Sequence, residues 1–464
     1  MYQPLLSRTA EHALSYLSSI RDRRVTPSLS GADLRRMLGG PMPEKGSDPV
    51  SVIDALAEAG REGTVANQGP RYFGFVVGGS VPAATAADWL VSTWDQNCGV
   101  YVLSPLAAAI EQIVTTWITD LIGVPNTWSA GYVTGCQMAN FTSLVVARHH
   151  VLRQAGWDVE RDGLFGAPPI DVIVSDESHY TIFTALRMLG LGAERLRRIE
   201  TDNQGRMRGD RLEAALADGR RGPCIICAQA GNVNTGAFDP LASIAALAKR
   251  RGAWLHVDGA FGLWAAVSPS LSPLVHGVDQ ADSIATDGHK WLNVPYDSGI
   301  ALTAHPESHR RALTLAAHYI VATNTERDPH EFVPEESRRG RAIPIYAALR
   351  AVGRSGLREI VERCSAHARR MAERLTQHPH ARVLNDVVLN QVLVQFTPPS
   401  GDPSQTDAFT QTVIARVQQE GTCWLGGTTW QGKRAMRISF SNWSTSDDDV
   451  DRSAAAILRC ATVS

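Results

Sequence analysis

Short unbroken apolar runs punctuate residues 69 to 309: DVIVS (171–175), CIICAQ (224–229), AWLHVD (253–258) and SIATD (283–287), separated by segments of helical period such as PLASIAALAKRRG. Strands covered on both faces read this way, and helices between them make the sheet mainly parallel, so the stretch predicts a doubly wound α/β domain. Residues 1 to 68 carry helical period in SRTAEHALSYLSSI and PVSVIDALAEAG, on either side of the Pro/Gly-rich turn GGPMPEKGSDP, and predict a helical extension. Residues 310 to 464 contain the Arg-rich EESRRGRAIPIYAALRAVGR and then a helix through REIVERCSAHARRMAERL. Strand candidates VLNQVLVQF and AMRISFSNW follow, around the polar loop TPPSGDPSQTDA, and predict a smaller α+β domain. No fixed-period repeat interrupts this order.

Composition then narrows the function. The 464 residues include 45 Lys+Arg and 47 Asp+Glu, a net charge of −2, which gives no global attraction to nucleic acid or acidic lipid. The first thirty residues lack the apolar core of a signal peptide, and no stretch approaches the roughly 18 apolar residues of a membrane span, so a soluble cytoplasmic protein is expected. Seven scattered cysteines fit reduced thiols rather than a disulfide framework. Only four of the basic residues are lysines, so any lysine chemistry must use Lys45, Lys249, Lys290 or Lys433.

Ligands of open parallel sheets collect beyond the carboxyl ends of the strands. DVIVS is followed by DESHY with His179, CIICAQ by AGNVNTG, AWLHV by Asp258, and SIATD by GHKW with His289 and Lys290. Such residues serve either as satisfied buried polar groups or as the walls of one crevice, and three strand ends bearing a His, an Asp and a Lys favour the crevice. Lys45 lies in a Pro/Gly loop, Lys249 in the last turn of a helix, where a cation suits the dipole, and Lys433 in the turn WQGKR. Lys290 has apolar and aromatic neighbours; it reads either as a snorkelling surface lysine or as an amine nucleophile whose pKa desolvation lowers.

Asp258, 32 residues earlier, tips that choice. A carboxylate ending a buried strand needs a cation, and the protonated pyridine nitrogen of pyridoxal phosphate is one, with the aldehyde held on the lysine as a Schiff base. The cofactor's phosphate needs a helix N-terminus, and SAGYVTGCQMANFTSLVVARHH supplies strand, glycine turn and helix, placing contacts at Gly135, Cys136 and Gln137.

With these motifs in place, the chain resembles the group II pyridoxal-phosphate decarboxylases, relatives of the aromatic amino acid, glutamate and histidine decarboxylases. The similar stretches are RYFGFVVGGS, SPLAAAIEQ, GYVTGCQMANFTSL, SDESHYTIFTAL, HVDGAFG, DGHKWLNVPYDSG and SRRGRAIPIYAALR, in family order from about residue 70 to 355, with SNWS near the C-terminus. The resemblance implies a fold type I architecture and decarboxylation of an amino acid to its amine and CO2. It implies Lys290 as the Schiff-base lysine, Asp258 as the pyridinium partner, Ala260 as the small residue beside the ring, His179 as the stacking histidine and His289 as a phosphate-side contact. SPLAAAIEQ resembles a segment that reaches the neighbouring subunit's site, which implies a homodimer.

Two departures from the family pattern shape further expectations. The loop TNTERDPHEFVPEE has no tyrosine where relatives carry a proton donor; His330 is the candidate replacement, against the plainer reading of a solvated loop histidine. Slow protonation there leads to the alternative of an oxygen-using aldehyde synthase, and the same cofactor site is compatible with a transaminase or with a catalytically silent cofactor-binding protein. The turn GYVTGCQMAN is one residue shorter than the family's glycine-rich version. Cys224 and Cys227 form C-x-x-C inside a strand whose period of two puts them on opposite faces, and adjacent His149 and His150 lie on different sides of a helix, so no metal is expected. Arg338, Arg339 and Arg341 are expected to anchor carboxylates or a partner subunit. Tyr72, Phe73, Phe75 and Trp94 are pocket candidates and favour an aromatic or aliphatic substrate.

Overall fold

The computed structural model describes residues 2–314 and 326–462. The predicted apolar runs are strands of one seven-stranded sheet. Its members are β1 (Ser129–Val133), β2 (Asp171–Ser175), β3 (Arg197–Ile199), β4 (Cys224–Gln229), β5 (Trp254–Asp258), β6 (Ser283–Asp287) and β7 (Gly299–Thr303), in the order β1-β7-β6-β5-β4-β2-β3. Strands β3, β2, β4, β5 and β6 are parallel, and β7 runs antiparallel to both β6 and β1. The reversal at β7 brings the carboxyl end of β1 to the same edge as those of β5 and β6: Val133 and Asp287 both stand opposite Gly299, and Asp258 stands opposite Ala285.

Both faces of the sheet are covered, as unbroken apolar strands require. Cys224 packs in the larger core cluster and Cys227 in the second, so the C-x-x-C pair does straddle the sheet. The helices Pro82–Trp94 and Pro105–Ile122 contribute to the larger core, and the helix Cys136–Gln154 to the second. Counting from the N-terminus after the extension helices α1 (Tyr2–Ser19), α2 (Gly31–Leu38) and α3 (Pro49–Gly63), these three are α4, α5 and α6. The short α2 carries a capping box between Ser30 and Asp33, and α1 buries no residue against the rest of the chain.

The Arg-rich stretch is not separate from the helix after it. One helical element runs Ala342–Thr376, interrupted at Gly353, whose φ of 64° belongs to the left-handed region. A second, antiparallel sheet follows, with β8 (Ala381–Val383), β9 (Gln391–Phe396), β10 (Gly426–Trp430) and β11 (Lys433–Ser439) in the order β10-β11-β9-β8. Trp430 pairs with Lys433 across Gln431 and Gly432, both at positive φ as a tight hairpin demands, so Lys433 opens the strand instead of lying in the turn.

Candidate active site

The shared strand edge opens into a cleft of about 620 Å³, and most of the sequence-predicted residues line it: Gly135, Cys136, Gln137, His179, His289 and Lys290. Gly135 is the N-cap of α6 and Cys136 its first residue, so three consecutive backbone N–H groups lie at the cleft at a helix N-terminus. A Cβ at position 135 would stand 3.3 Å from His289 Cε1 and 3.5 Å from Asp287 Oδ1, so both side chains crowd this turn.

Lys290 lies three residues beyond Asp287, the last residue of β6, and its Nζ is 2.8 Å from Asp287 Oδ2. Desolvation pushes the ammonium down, as the sequence suggested, yet the nearby Asp287 carboxylate, with Cys136 and Asp258, outweighs it and holds Lys290 above the ordinary lysine range. The lowered pKa expected from burial alone is therefore corrected by a residue that sequence reasoning left without a role. Asp287 also accepts the Cys136 backbone N–H at 2.6 Å and lies 3.3 Å from His289 Nε2. It quietens the helix N-terminus and the lysine at once.

Asp258 ends β5 and is 4% exposed. Its carboxylate accepts from Asn140 Nδ2 at 3.1 Å, from the Ala260 N–H at 3.1 Å and from the Cys136 thiol at 3.5 Å. Ala260 thus sits beside Asp258, though it does not itself line the cleft. Burial raises the Cys136 thiol well above its usual range, with Asp258 and Asp287 adding to the effect. The ring of His179 stands before the helix Tyr180–Met188 with Nδ1 2.8 Å from Thr181 Oγ1, and burial lowers its pKa against the pull of Asp258. His289, lowered by burial, takes the Ser298 N–H on Nδ1 at 3.3 Å and stacks on Tyr296 at 4.2 Å.

Arg437 of β11 is the second residue that sequence reasoning missed. It lines the cleft, is pushed down to about 10 by burial, and among the described residues its guanidinium donates to the backbone carbonyls of Val233 and Phe75 alone. A lone arginine in the apolar run AMRISF was the available signal. A desolvated guanidinium held by neutral carbonyls is a receptor for an incoming carboxylate.

His330 is not among the cleft-lining residues of its own chain; its backbone N–H donates to Gly99 at 2.8 Å and its Nε2 is buried without a hydrogen-bond partner. The first residues of its loop, 323–325, lie outside the described residues. Of the pocket candidates, Phe75 lines the cleft, Tyr72 stacks on Trp424 at 5.1 Å, Phe73 belongs to the core and Trp94 closes α4 away from the cleft. Phe75 and Val76 adopt φ of 60° and 113°, backbone strain stored at the cleft wall. Arg338, Arg339 and Arg341 anchor carboxylates, those of Glu111, Asp88 and Asp297, at 2.6–2.8 Å. Among the described residues no group of three His, Cys, Asp or Glu side chains is arranged to hold a metal, and His149 and His150 take different partners, Glu160 and Ser308.

Comparison with known proteins agrees with this geometry. The model of the pyridoxal-dependent decarboxylase conserved domain matches residues 33–397. The chain is 26% identical over 447 residues to an aromatic-L-amino-acid decarboxylase of Bacillus atrophaeus, covering 94% of this chain and 90% of that one. It is 28% identical over 426 residues to an L-2,4-diaminobutyrate decarboxylase of Rhizobium meliloti, covering 90% and 83%. The fold is that of the Oryza sativa TDC crystal structure with PLP and tryptamine, at a TM-score of 0.92, 21% identity and coverage of 99% and 97%.

Proposed function

The chain belongs to the pyridoxal-dependent decarboxylase family and is a pyridoxal-phosphate-dependent amino acid decarboxylase, and from that premise we propose how its own residues divide the work. The cleft fits the cofactor by its donor set: the Lys290 amine, the helix N-terminus at Gly135, Cys136 and Gln137, and the carboxylate of Asp287, with Asp258 buried next to Cys136. When bound, pyridoxal phosphate supplies an aldehyde to join the substrate amine and a protonated ring to take up the electron pair released as CO2 leaves.

Lys290 would hold the cofactor's aldehyde through its amine, and the substrate amine would take the place of the lysine amine. Asp258 keeps the ring nitrogen protonated by charge pairing in a site shielded from water. His179 would face the ring, with Ala260 as the small residue next to Asp258. Gly135, Cys136 and Gln137 present N–H groups to the phosphate, with His289 beside them. Asp287, which accepts the Cys136 N–H, must yield that donor. Arg437 binds a substrate carboxylate, and the aromatic rim of Phe75, Tyr180 and Tyr296 favours an aromatic or aliphatic side chain.

A homodimer completes the site in this reading. Phe75, Tyr180 and Tyr296 are 63%, 66% and 56% exposed, and Val102, Leu103 and Leu106, within and just before the segment SPLAAAIEQ, are exposed as well, as apolar residues covered by a second copy would be. His330, with Nε2 buried in its own chain and away from the cleft, takes no step in this reading. Seven buried cysteines, all free, suit a reducing compartment and support a cytoplasmic location.

The observation that carries this reading is the convergence of Lys290, Asp258 and the α6 N-terminus on one strand edge. Lys290→Ala is expected to abolish the visible absorption band of the lysine-bound cofactor, and persistence of the band in a cofactor-cleared preparation would refute the assignment. Mass spectrometry of products formed in air from each common amino acid separates the amine of a decarboxylase from an aldehyde or a keto acid.

A further inference from the structure

Behind the cleft, a chain of hydrogen bonds crosses the core. Trp254 Nε1 donates to Ser283 Oγ at 2.9 Å, Ser283 Oγ is 2.9 Å from His256 Nδ1, His256 Nε2 is 2.9 Å from Asn140 Oδ1, and Asn140 Nδ2 donates to Asp258 Oδ2 at 3.1 Å. The strand period builds it: Trp254, His256 and Asp258 are alternate residues of β5 and share one face, on which α6 lays Cys136 and Asn140, one helical turn apart. A branch leaves the same amide, with Asn140 Nδ2 3.4 Å from Thr181 Oγ1 and Thr181 Oγ1 2.8 Å from His179 Nδ1. Every member from Trp254 to Asp258, with Thr181, is less than a tenth exposed.

The carboxylate end fixes every proton in this network. Asp258 only accepts, so Asn140 must turn its NH2 toward it and its carbonyl toward His256. His256 therefore carries its proton on Nε2, and the Ser283 hydroxyl, already accepting from the indole, donates to Nδ1. The second N–H of Asn140 points into Thr181 Oγ1, which leaves the threonine proton for His179 Nδ1 and puts the His179 ring proton on Nε2. Reversing the Asn140 amide would set its carbonyl oxygen against Asp258 and two donors against each other at His256.

We propose that Asn140 is a positioning residue that sets two cofactor contacts together: the carboxylate rotamer of Asp258 and the tautomer of His179. This rests on the reading of Asp258 and His179 given above. The ring-nitrogen partner and the stacking imidazole are held by the two hydrogens of one amide, and His256, backed by Ser283 and Trp254, keeps that amide from turning over. Buried polar networks in which every member is satisfied define one geometry in this way.

The test uses the holoenzyme loaded with cofactor carrying 15N at the ring position. Asn140→Leu is expected to retain the visible band of the lysine-bound cofactor, while the 15N signal moves from the protonated toward the unprotonated range and the pH titration of the visible band shifts. His256→Leu is expected to move both readouts in the same direction, and His256→Gln, whose amide nitrogen stands near the position of Nε2, to return them toward the parent. A parent-like 15N signal in N140L overturns the proposal; should N140L not fold, a parent-like signal in H256L does so. Asp258→Asn separates the two levels of argument: an unchanged signal there overturns the assignment of Asp258 itself and the coupling with it, whereas a shift in D258N with none in N140L overturns the coupling alone.

Discussion

Glu111→Gln is expected to lower the melting temperature by about 3–5 °C, and the number follows from how this carboxylate is used. Glu111 is 1% exposed and faces two arginines, with Oε2 2.7 Å from Arg327 Nη1 and Oε1 2.6 Å from Arg338 Nη1. The Arg338 side chain is itself fully buried. Glutamine preserves the shape and removes the charge, so a desolvated guanidinium loses its anion, a change that costs roughly 3–5 kcal/mol. Unfolding entropy of about 2.1 cal/mol/K per residue gives about 1 kcal/mol/K for a chain of this length, hence the expected drop. Differential scanning calorimetry near neutral pH measures it. The exposed pair Arg8–Glu11 supplies the control, since Glu11→Gln should shift the midpoint by well under about 1 °C. An E111Q midpoint within about 1 °C of the parent would refute the reasoning.

Three further outcomes are expected. His309 is pushed down to about 3, first by burial and then by Arg327, so its neutral form is the folded one; the stability this represents is present above the ordinary histidine pKa near 6.5 and drains away as pH falls toward the folded value, at up to about 1.4 kcal/mol per pH unit. Urea unfolding between pH 7 and 4 should therefore show a shallower acid loss in His309→Gln than in the parent, and parallel profiles would count against the assignment. Gly299→Ala places a Cβ 2.4–2.6 Å from the backbone of Gly135, which must move the N-cap of α6 at a cost of roughly 1–3 kcal/mol; faster cofactor release on dialysis is expected, and parent-like retention would mean that this turn does not hold the phosphate. Arg437→Met should raise the substrate KM about 10- to 100-fold, the worth of a hydrogen bond to a charged group, while leaving the visible band in place; an unchanged KM would exclude Arg437 as a carboxylate receptor.

The strands that build the site were legible because they are buried on both faces and read as unbroken apolar runs, and the residues just after them inherit the strand edge. Lys290, Asp258, His179 and His289 could be found that way. Asp287 lies inside the apolar run SIATD and passed unnoticed because the last residue of a strand looks like a boundary, and only the reversal at β7 brings Cys136 within 2.6 Å of it. Asn140 has no signal in the sequence, being one of several polar residues on its helix, and its partners come from β5 and from the helix Tyr180–Met188. Strand β3 and helix α2 are three and eight residues long, too short for a period to show. The misjudged start of the helix Ala342–Thr376 has a local cause: arginines and Pro344 disguise its first turns.

The edge position of β1 also sets an order of synthesis. Its one ladder is with β7, where Ser129 meets Thr303, so on the ribosome this strand has no neighbour in the sheet until residue 303 has been made. The helix that follows β1 carries Cys136 and Asn140 and has earlier partners in β2 and the helix Tyr180–Met188, with which it shares the second core. The lysine, by contrast, lies on the connection between β6 and β7, neighbouring antiparallel strands that pair locally once both exist. The last strand of the large sheet to emerge is thus the one that seats β1, and a nascent chain stopped short of it holds Cys136 and Asp258 without the strand that joins β1 to β6.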